Sequence, residues 1–200
     1  MAGARRQRDT VTDAVPLPSA ADTQATDARR QLADDLVAAA VLRGRFTLRS
    51  GAVSDYYIDK FRLTTDPRLL ARLAAALAER LPAGTQRIAG TALGAVPLAT
   101  ALSLRTGIPS LFVRADAKAY GTGKAVEGVV ATGDRVVLVE DVVTTGGAGV
   151  AALAALRETG AEIIGALCVV DREDGGAERF ADAGVRLDAL FTRTELGLGD

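Results

Sequence analysis

Short apolar runs alternate with segments of helical period from residue 87 onward. Two of these runs, residues 136–139 and 163–170, are apolar at every position. A strand that is apolar along its whole length is buried on both faces, which is typical of a parallel sheet covered by helices. The alternation therefore predicts an α/β fold with a parallel central sheet flanked by helices. The predicted strands are residues 87–89, 110–113, 136–139 and 163–170, and the predicted helices between them are residues 96–105 and 149–159.

The N-terminal third predicts a small hood in front of this sheet. Residues 27–43 carry apolar side chains at helical spacing, and Gly44 is expected to end that helix. Residues 46–48 and 56–58 are β-like runs that predict a hairpin. The dipeptide Asp66-Pro67 then predicts the capped first turn of a further helix.

The domain organisation follows from where an apolar face is available. Residues 1–26 have no periodic apolar face to bury, so we expect them to form a disordered tail. We expect residues 27–200 to form one domain, whose N-terminal hood covers about residues 27–65.

Composition excludes several classes of function. The chain contains no histidine, so it has no Ser-His-Asp or Cys-His nucleophile pair and no His-ligated zinc. Its formal net charge of -1 argues against a basic nucleic-acid binder. The single Cys168 lies in an apolar run and predicts a buried thiol in a reducing compartment. No apolar stretch has the length of a spanning helix, so we expect a cytoplasmic protein without a membrane partner.

The strongest candidate site follows the predicted strand 136–139. Glu140 and Asp141 come first, and a loop rich in small and hydroxyl residues then leads into a helix. Such a loop presents free backbone N–H groups at the positive end of the helix dipole, so it is suited to bind a phosphate. Two carboxylates would repel that phosphate if they faced it; they are better suited to accept hydrogen bonds from sugar hydroxyls or to hold a hydrated cation. A ribose 5-phosphate is a ligand with both features.

Two other interpretations fit this segment less well. An acid pair followed by Thr and Gly can be a solvated turn with a helix cap, but its position directly after a buried strand favours a ligand site. Residues 147–152 also match the dinucleotide fingerprint G-x-G-x-x-A, with Asp171 further along the chain. That fingerprint needs its first glycine immediately after the strand, whereas residues 140–146 intervene here.

Five segments of the chain resemble one enzyme family. Residues 136–148, VVLVEDVVTTGGA, resemble the phosphoribosyl pyrophosphate motif of the type I phosphoribosyltransferases. Four others are similar to orotate phosphoribosyltransferases: FTLRSGAVSDYYIDK from Phe46, GTALGAVPLATALS from Gly90, FVRADAKAYGTGKAVEG from Phe112 and VVDREDGG from Val169. The resemblance implies an enzyme of UMP synthesis that transfers ribose 5-phosphate from phosphoribosyl pyrophosphate to orotate, giving orotidine 5-monophosphate and pyrophosphate.

The resemblance also implies roles for individual residues. Lys118 and Asp141 are implied to be catalytic. The residues implied to bind phosphoribosyl pyrophosphate are Arg114, Lys118, Tyr120, Glu140, Asp141, Val142, Val143, Thr144, Thr145, Gly146, Gly147 and Ala148. Those implied to bind orotate are Arg49, Tyr57, Ile58, Thr144 and Arg172. An arginine suits a carboxylate because it can donate two parallel charge-assisted hydrogen bonds. The alternative for Arg172 is a surface ion pair with Glu173 or Asp174.

The implied cofactor is Mg²⁺, bound mainly through phosphoribosyl pyrophosphate, with no metal ligand expected from the protein. The implied assembly is a homodimer in which the loop that carries Lys118 reaches the partner's site. The sequence departs from the family at Ala115, where a lysine is common, and at Ala52 and Val53, where a basic residue is common. Two alternatives therefore stay open: a phosphoribosyltransferase for another base, and a diverged binder of phosphoribosyl pyrophosphate without turnover.

Overall fold

The computed structural model describes residues 20–47, 51, 53–114 and 124–199. Within these ranges, every helix is either too short or too polar to cross a bilayer.

Helices and strands alternate along most of the described chain. In chain order they are α1 (Ala20–Ala40), β1 (Val41–Thr47), β2 (Val53–Ile58), α2 (Lys60–Thr65), α3 (Pro67–Ala78), β3 (Arg87–Thr91), α4 (Val96–Thr106), β4 (Ser110–Val113), β5 (Val126–Glu127), β6 (Arg135–Val143), α5 (Gly147–Glu158), β7 (Glu162–Asp171), α6 (Gly176–Asp182) and β8 (Leu187–Thr192).

A six-stranded sheet lies at the centre of the fold. Its strand order is β5-β4-β3-β6-β7-β8, and β3 pairs in parallel with both β4 and β6. The pairs β6–β7 and β7–β8 are also parallel, whereas the edge strand β5 runs antiparallel to β4. The predicted parallel sheet is confirmed, but its two edge strands, the antiparallel β5 and the parallel β8, were not predicted. The chain order reverses between β3 and β6, and ligands of open α/β sheets bind beyond the carboxyl ends of the strands at such a point.

The central strands are buried on both faces. In β6, Val137 and Val139 pack in a core with α1, α3 and α4, while Val136 and Leu138 pack in a second core with α5. Successive side chains of a strand alternate between faces, so helical layers on both sides require an apolar residue at every position. This explains the uninterrupted apolar run in the sequence. Cys168 of β7 is fully buried in the second core, as predicted, and this burial raises the pKa of its thiol.

The hood contains the predicted hairpin, formed by antiparallel pairing of β1 and β2. The predicted bounds of the preceding helix are wrong. Helix α1 ends at Ala40 and not at Gly44, because Val41 already pairs with Ile58 of β2. It begins at Ala20, because helix propagation adds a hydrogen bond for each further residue even where no apolar face exists. The expected boundary near residue 26 therefore lies inside a helix, and residues 1–19 lie outside the described residues.

Strand β6 is longer than predicted, which changes the position of the acid pair. It continues past residue 139 to Val143, because the long parallel strand β7 supplies a partner as far as Asp171. Glu140 and Asp141 are thus within the strand rather than after it, which corrects the sequence interpretation. Val136 and Leu138 face the second core and Val137 and Val139 the first, so the alternation places Glu140 on the second-core face and Asp141 on the first-core face. The alternation ends there, because Val142 packs with the first core and Val143 with the second.

Candidate functional site

The candidate site lies at the carboxyl ends of β3 and β6, where the strand order reverses. Strand β3 ends at Thr91, whose hydroxyl donates a hydrogen bond to Oε2 of Glu140. On the other face of β6, the loop from β3 to α4 brings Gly94 against Asp141. A methyl group at residue 94 would overlap Oδ2 of Asp141 and lie 2.8 Å from its Cγ, so this close approach requires glycine.

The loop after β6 forms the N-terminus of α5. Gly146 is the N-cap residue with φ +74°, and among the described residues no side chain caps this helix. Thr144, Thr145, Gly147 and Ala148 are exposed around that terminus. Exposed N–H groups at the start of a helix of 12 residues bind anions well, because the helix dipole is positive there. The structure therefore places the predicted phosphate loop at an uncapped and accessible helix end.

Glu140 is buried on the α5 face of β6, and only one of its two carboxylate oxygens has a hydrogen-bond partner among the described residues. Its Oε2 accepts the hydrogen bond from Thr91, whereas its Oε1 is buried without a hydrogen-bond partner among the described residues. Burial raises the pKa of Glu140 to about 7; the Thr91 hydrogen bond opposes this rise, nearby Asp141 adds to it and Lys60 opposes it. A buried acceptor without a donor is costly, so this carboxylate is suited to receive a donor from a ligand.

Asp141 is buried on the opposite face, beside a cation that the sequence interpretation missed. Its Oδ1 accepts a hydrogen bond from the backbone N–H of Val142 at 2.6 Å. The ammonium Nζ of Lys60, at the start of α2, lies 3.2 Å from its Oδ2. Nothing in the spacing of the sequence connects residue 60 with residue 141, so only the packing of the hood against the sheet reveals this pair.

Arg172 follows β7 and is buried next to the phosphate loop. Its backbone N–H donates to the carbonyl of Val143 at 2.9 Å, and its guanidinium carbon lies 5.2 Å from the ring centroid of Tyr56. Its Nε is 3.4 Å from a carboxylate oxygen of Asp174, but neither this Nε nor the Tyr56 hydroxyl has a hydrogen-bond partner within the described ranges. The side chain is 11% exposed, so the contact with Asp174 is not the solvated surface pair considered as the alternative.

The aromatic side chain that contacts Arg172 was not among the predicted site residues. Tyr57 and Ile58 were the expected base contacts, but the side chains of β2 alternate. Tyr56 and Ile58 are buried, while Tyr57 is 43% exposed. The ring centroid of Tyr57 lies 5.7 Å from that of Phe46. The structure therefore brings Tyr56, and not the side chain of Tyr57, to Arg172. The period-2 alternation of strands was the signal that distinguishes these neighbours.

Of the remaining predicted residues, some contact this cluster through their backbone, one lies apart from it and others lie outside the described chain. Val142 and Val143 are in β6, and Val143 belongs to the second core. Arg114 is exposed directly after β4, where its backbone N–H donates to the carbonyl of Ala125 at 2.8 Å. Arg49, Lys118 and Tyr120 lie outside the described residues, as do Ala52 and Ala115.

Comparison with known proteins gives a consistent result. Residues 63–186 match the family model of the phosphoribosyl transferase domain. The chain is 47% identical over 168 residues to an orotate phosphoribosyltransferase of Halobacterium salinarum, covering 82% of this chain and 95% of that protein. It matches the crystal structure of an orotate phosphoribosyltransferase from Aeropyrum pernix with a TM-score of 0.76 and 38% identity, covering 84% of this chain and 99% of that one. A further match, with a TM-score of 0.72 and 34% identity over 86% of this chain and 99% of that one, is the Mycobacterium tuberculosis orotate phosphoribosyltransferase in complex with 5-phospho-alpha-D-ribosyl 1-diphosphate.

Proposed function

The chain belongs to the phosphoribosyltransferase family and, within it, to the orotate phosphoribosyltransferases, and on this premise we propose that it transfers ribose 5-phosphate from phosphoribosyl pyrophosphate to orotate. The observation that carries the proposal is the contact between the ends of β6 and β7. There, the backbone N–H of the buried Arg172 donates to the carbonyl of Val143 at 2.9 Å, and the loop that follows Val143 leads into the start of α5. An anion site and a buried guanidinium in such proximity suit a sugar phosphate and an acidic base.

Each part of the substrates has a matching group. The loop of residues 144–148 binds the 5-phosphate, and Glu140 and Asp141 accept hydrogen bonds from the ribose hydroxyls. Arg172 binds the orotate carboxylate, with Thr144 beside it. For Arg49, Tyr57, Ile58, Arg114, Lys118 and Tyr120 the roles rest on the resemblance of their segments.

The reaction needs no protein nucleophile. The bond between the ribose C1 and the diphosphate oxygen breaks with both electrons passing to pyrophosphate. A ring nitrogen of orotate supplies the electron pair for the new bond to C1, while its N–H bond breaks and the proton passes to the departing pyrophosphate. Positive charge develops on the sugar and negative charge on the leaving group, so buried carboxylates near the ribose and cations near the diphosphate stabilise the transition state. Holding both substrates in place at the end of the sheet accelerates the reaction further, because the reacting atoms are kept close together. The absence of histidine is therefore no obstacle.

Magnesium fits this site as a companion of the substrate. The part of the chain that the structure describes has no group of three or more acidic or cysteine side chains able to hold a metal by themselves. Mg²⁺ is commonly held by substrate phosphates and water with few protein ligands, so the oxygen atoms of phosphoribosyl pyrophosphate would hold it. When bound, it would neutralise charge on the leaving pyrophosphate.

The activity is tested by following the loss of orotate absorbance with and without phosphoribosyl pyrophosphate and Mg²⁺. We expect the orotate absorbance to fall only when phosphoribosyl pyrophosphate and Mg²⁺ are both present. Calorimetric binding of phosphoribosyl pyrophosphate without product formation would identify the non-catalytic binder that Ala115 favours. Consumption of another base in place of orotate would overturn the assignment of the base.

The pH dependence should report the buried Glu140. We expect kcat/KM for phosphoribosyl pyrophosphate to fall as the pH drops through about 7, because burial raises the pKa of Glu140 to about 7 and a protonated carboxyl is a weaker acceptor for ribose hydroxyls. Because the folded state holds this proton at a pH where the unfolded state has lost it, the contribution of Glu140 to stability falls as the pH rises from about 4.5 to about 7. Glu140→Gln should remove the acidic limb of the rate profile. An unchanged limb in that variant would assign the limb to another group.

The proposal includes a homodimer in which Lys118 acts on the partner's site. A Lys118→Ala chain and an Asp141→Asn chain are each expected to be nearly inactive, whereas their mixture should recover activity. Random pairing makes about half of the dimers mixed, and each mixed dimer has one of two sites intact, so about a quarter of wild-type activity should return. Subunit exchange is verified by mass spectrometry of differently tagged chains. If exchange is complete and activity does not rise, Lys118 acts within its own subunit.

A further inference from the structure

Lys60 holds a position in the site that the function proposed above does not use. Its Nζ lies 3.2 Å from Oδ2 of Asp141, an oxygen that is buried and has no hydrogen-bond partner in the described part of the chain. The Lys60 side chain is 42% exposed, whereas that of Asp141 is 3% exposed. The ammonium therefore joins a buried carboxylate to the open side of the site.

Local structure fixes the backbone of Lys60. It is the first residue of α2, whose N-cap residue Asp59 accepts a hydrogen bond from the Phe61 N–H at 3.1 Å. The backbone N–H of Asp59 in turn donates to the carbonyl of Ala40 at 2.8 Å, at the end of α1. The capped turn between the hairpin and α2 thus presents Lys60 toward the end of β6 in a defined place.

Gly94 leaves the space that the ammonium needs. A Cβ atom at residue 94 would lie 3.1 Å from Nζ of Lys60 in addition to overlapping Asp141. The loop between β3 and α4 therefore packs closely on the Lys60–Asp141 pair without covering it. An ammonium has three N–H donors, and its contact with Asp141 leaves donors available to a ligand.

The charge of Lys60 matters because its surroundings are acidic and its ligand is anionic. Glu140 and Asp141 would together repel a substrate that carries a phosphate and a diphosphate. Lys60 offsets this repulsion, and its field reaches Glu140, where it opposes the rise in pKa that burial causes. An ammonium on a flexible stem can contact a carboxylate and a phosphate oxygen together.

The face of the sheet indicates which end of the substrate Lys60 contacts. The phosphate loop leads into α5, on the Glu140 side of β6, where Oε1 of Glu140 lies against Gly149 of that helix. Lys60, Asp141 and Gly94 lie on the opposite side of β6. A ribose phosphate held with its 5-phosphate at α5 and its ring over the acid pair directs its other substituents toward the Lys60 side.

From this arrangement, and given the proposed function, we propose that Lys60 is a substrate-binding residue that holds the carboxylate of Asp141 in the free protein and donates a hydrogen bond to the diphosphate of bound phosphoribosyl pyrophosphate. The same contact is then made to the pyrophosphate product. Lys60 thus recognises the leaving group, whereas the loop of residues 144–148 recognises the 5-phosphate.

The test compares three ligands on a pair of variants. Dissociation constants of phosphoribosyl pyrophosphate, pyrophosphate and ribose 5-phosphate are measured by calorimetry with Mg²⁺ for the wild type, Lys60→Met and Lys60→Arg. We expect Lys60→Met to weaken the binding of phosphoribosyl pyrophosphate and of pyrophosphate about tenfold, as for loss of one partly exposed charge-assisted hydrogen bond. The dissociation constant of ribose 5-phosphate should change less than about threefold. Lys60→Arg, which keeps the charge, should restore most of the affinity.

The matched control is Arg62→Met. Arg62 lies on the same short helix, is exposed and pairs with Asp59 at 3.4 Å, so its removal should leave all three constants unchanged. Unchanged pyrophosphate binding in Lys60→Met would overturn the inference. An equal loss of affinity for ribose 5-phosphate would also overturn it, because Lys60 would then act only by holding Asp141. A wild type that binds phosphoribosyl pyrophosphate but does not consume orotate would overturn the proposed function and leave this inference standing.

Discussion

Gly94→Ala is expected to lower kcat/KM for phosphoribosyl pyrophosphate about a hundredfold. The added methyl group would overlap Oδ2 of Asp141, lie 2.8 Å from its Cγ and lie 3.1 Å from Nζ of Lys60. Asp141 is buried, and its Oδ1 already accepts the Val142 N–H at 2.6 Å, so its carboxylate can rotate only by giving up that hydrogen bond. A displacement of about 1 Å in a group that positions substrate can cost this factor in rate.

Gly199→Ala is the matched control, since a methyl group there would meet no atom of the described residues within 4 Å. It should leave both activity and thermal stability unchanged. Thermal unfolding of Gly94→Ala separates a loss of the site from a loss of the fold. A folded Gly94→Ala protein with wild-type kcat/KM would show that the placement of Asp141 does not limit the reaction.

Arg172→Ala is expected to raise the KM for orotate about ten- to a hundredfold. Hydrogen bonds to a charged group are worth roughly 1.5 to 3 kcal/mol, and the low exposure of this guanidinium limits the compensation that water could give. The affinity for phosphoribosyl pyrophosphate should change little, because the proposed contacts of its 5-phosphate and ribose are with other residues. Steady-state kinetics with each substrate varied in turn measures both effects.

Two companion variants sharpen this result. Arg172→Lys keeps the charge but cannot form two parallel hydrogen bonds, so its KM for orotate should also rise. Arg105→Ala removes an arginine from the exposed last turn of α4, and both KM values should stay at the wild-type level. If the KM for orotate does not change in Arg172→Ala, this residue has no part in binding the base.

Several local features of the fold were predictable because their chemistry lies within a few residues. Asp66 accepts hydrogen bonds from the N–H groups of Arg68 and Leu69 at 2.8 and 2.9 Å, with Pro67 in the first turn of α3. Gly107 ends α4 with φ +75°. Both positions carry residue types that favour these conformations on their own. Such signals hold whatever the rest of the chain does.

Short elements gave no comparable signal. Helix α2 has 6 residues, α6 has 7 and β5 has 2, and none of them was predicted. A segment of one or two turns cannot display a helical period, and a two-residue strand exists only because β4 offers a free edge. Their consequence is large, because α2 supplies Lys60.

The sequence by itself determined the parallel sheet, because two-sided burial is written in consecutive residues. The same local chemistry predicted a phosphate loop after β6 and roles for the acid pair and Arg172, and these roles stay predictions. Only the tertiary structure decided which groups meet. Glu140 and Asp141 point to opposite faces, Lys60 lies against Asp141, and Tyr56 rather than Tyr57 packs on Arg172. The contacts of Lys60 with Asp141 and of Tyr56 with Arg172 join residues far apart in the chain. These contacts, and the orientation of the acid pair, depend on strand length, register and the docking of the hood on the sheet. None of these is fixed by the local pattern of side chains, because each arises from packing between separate elements.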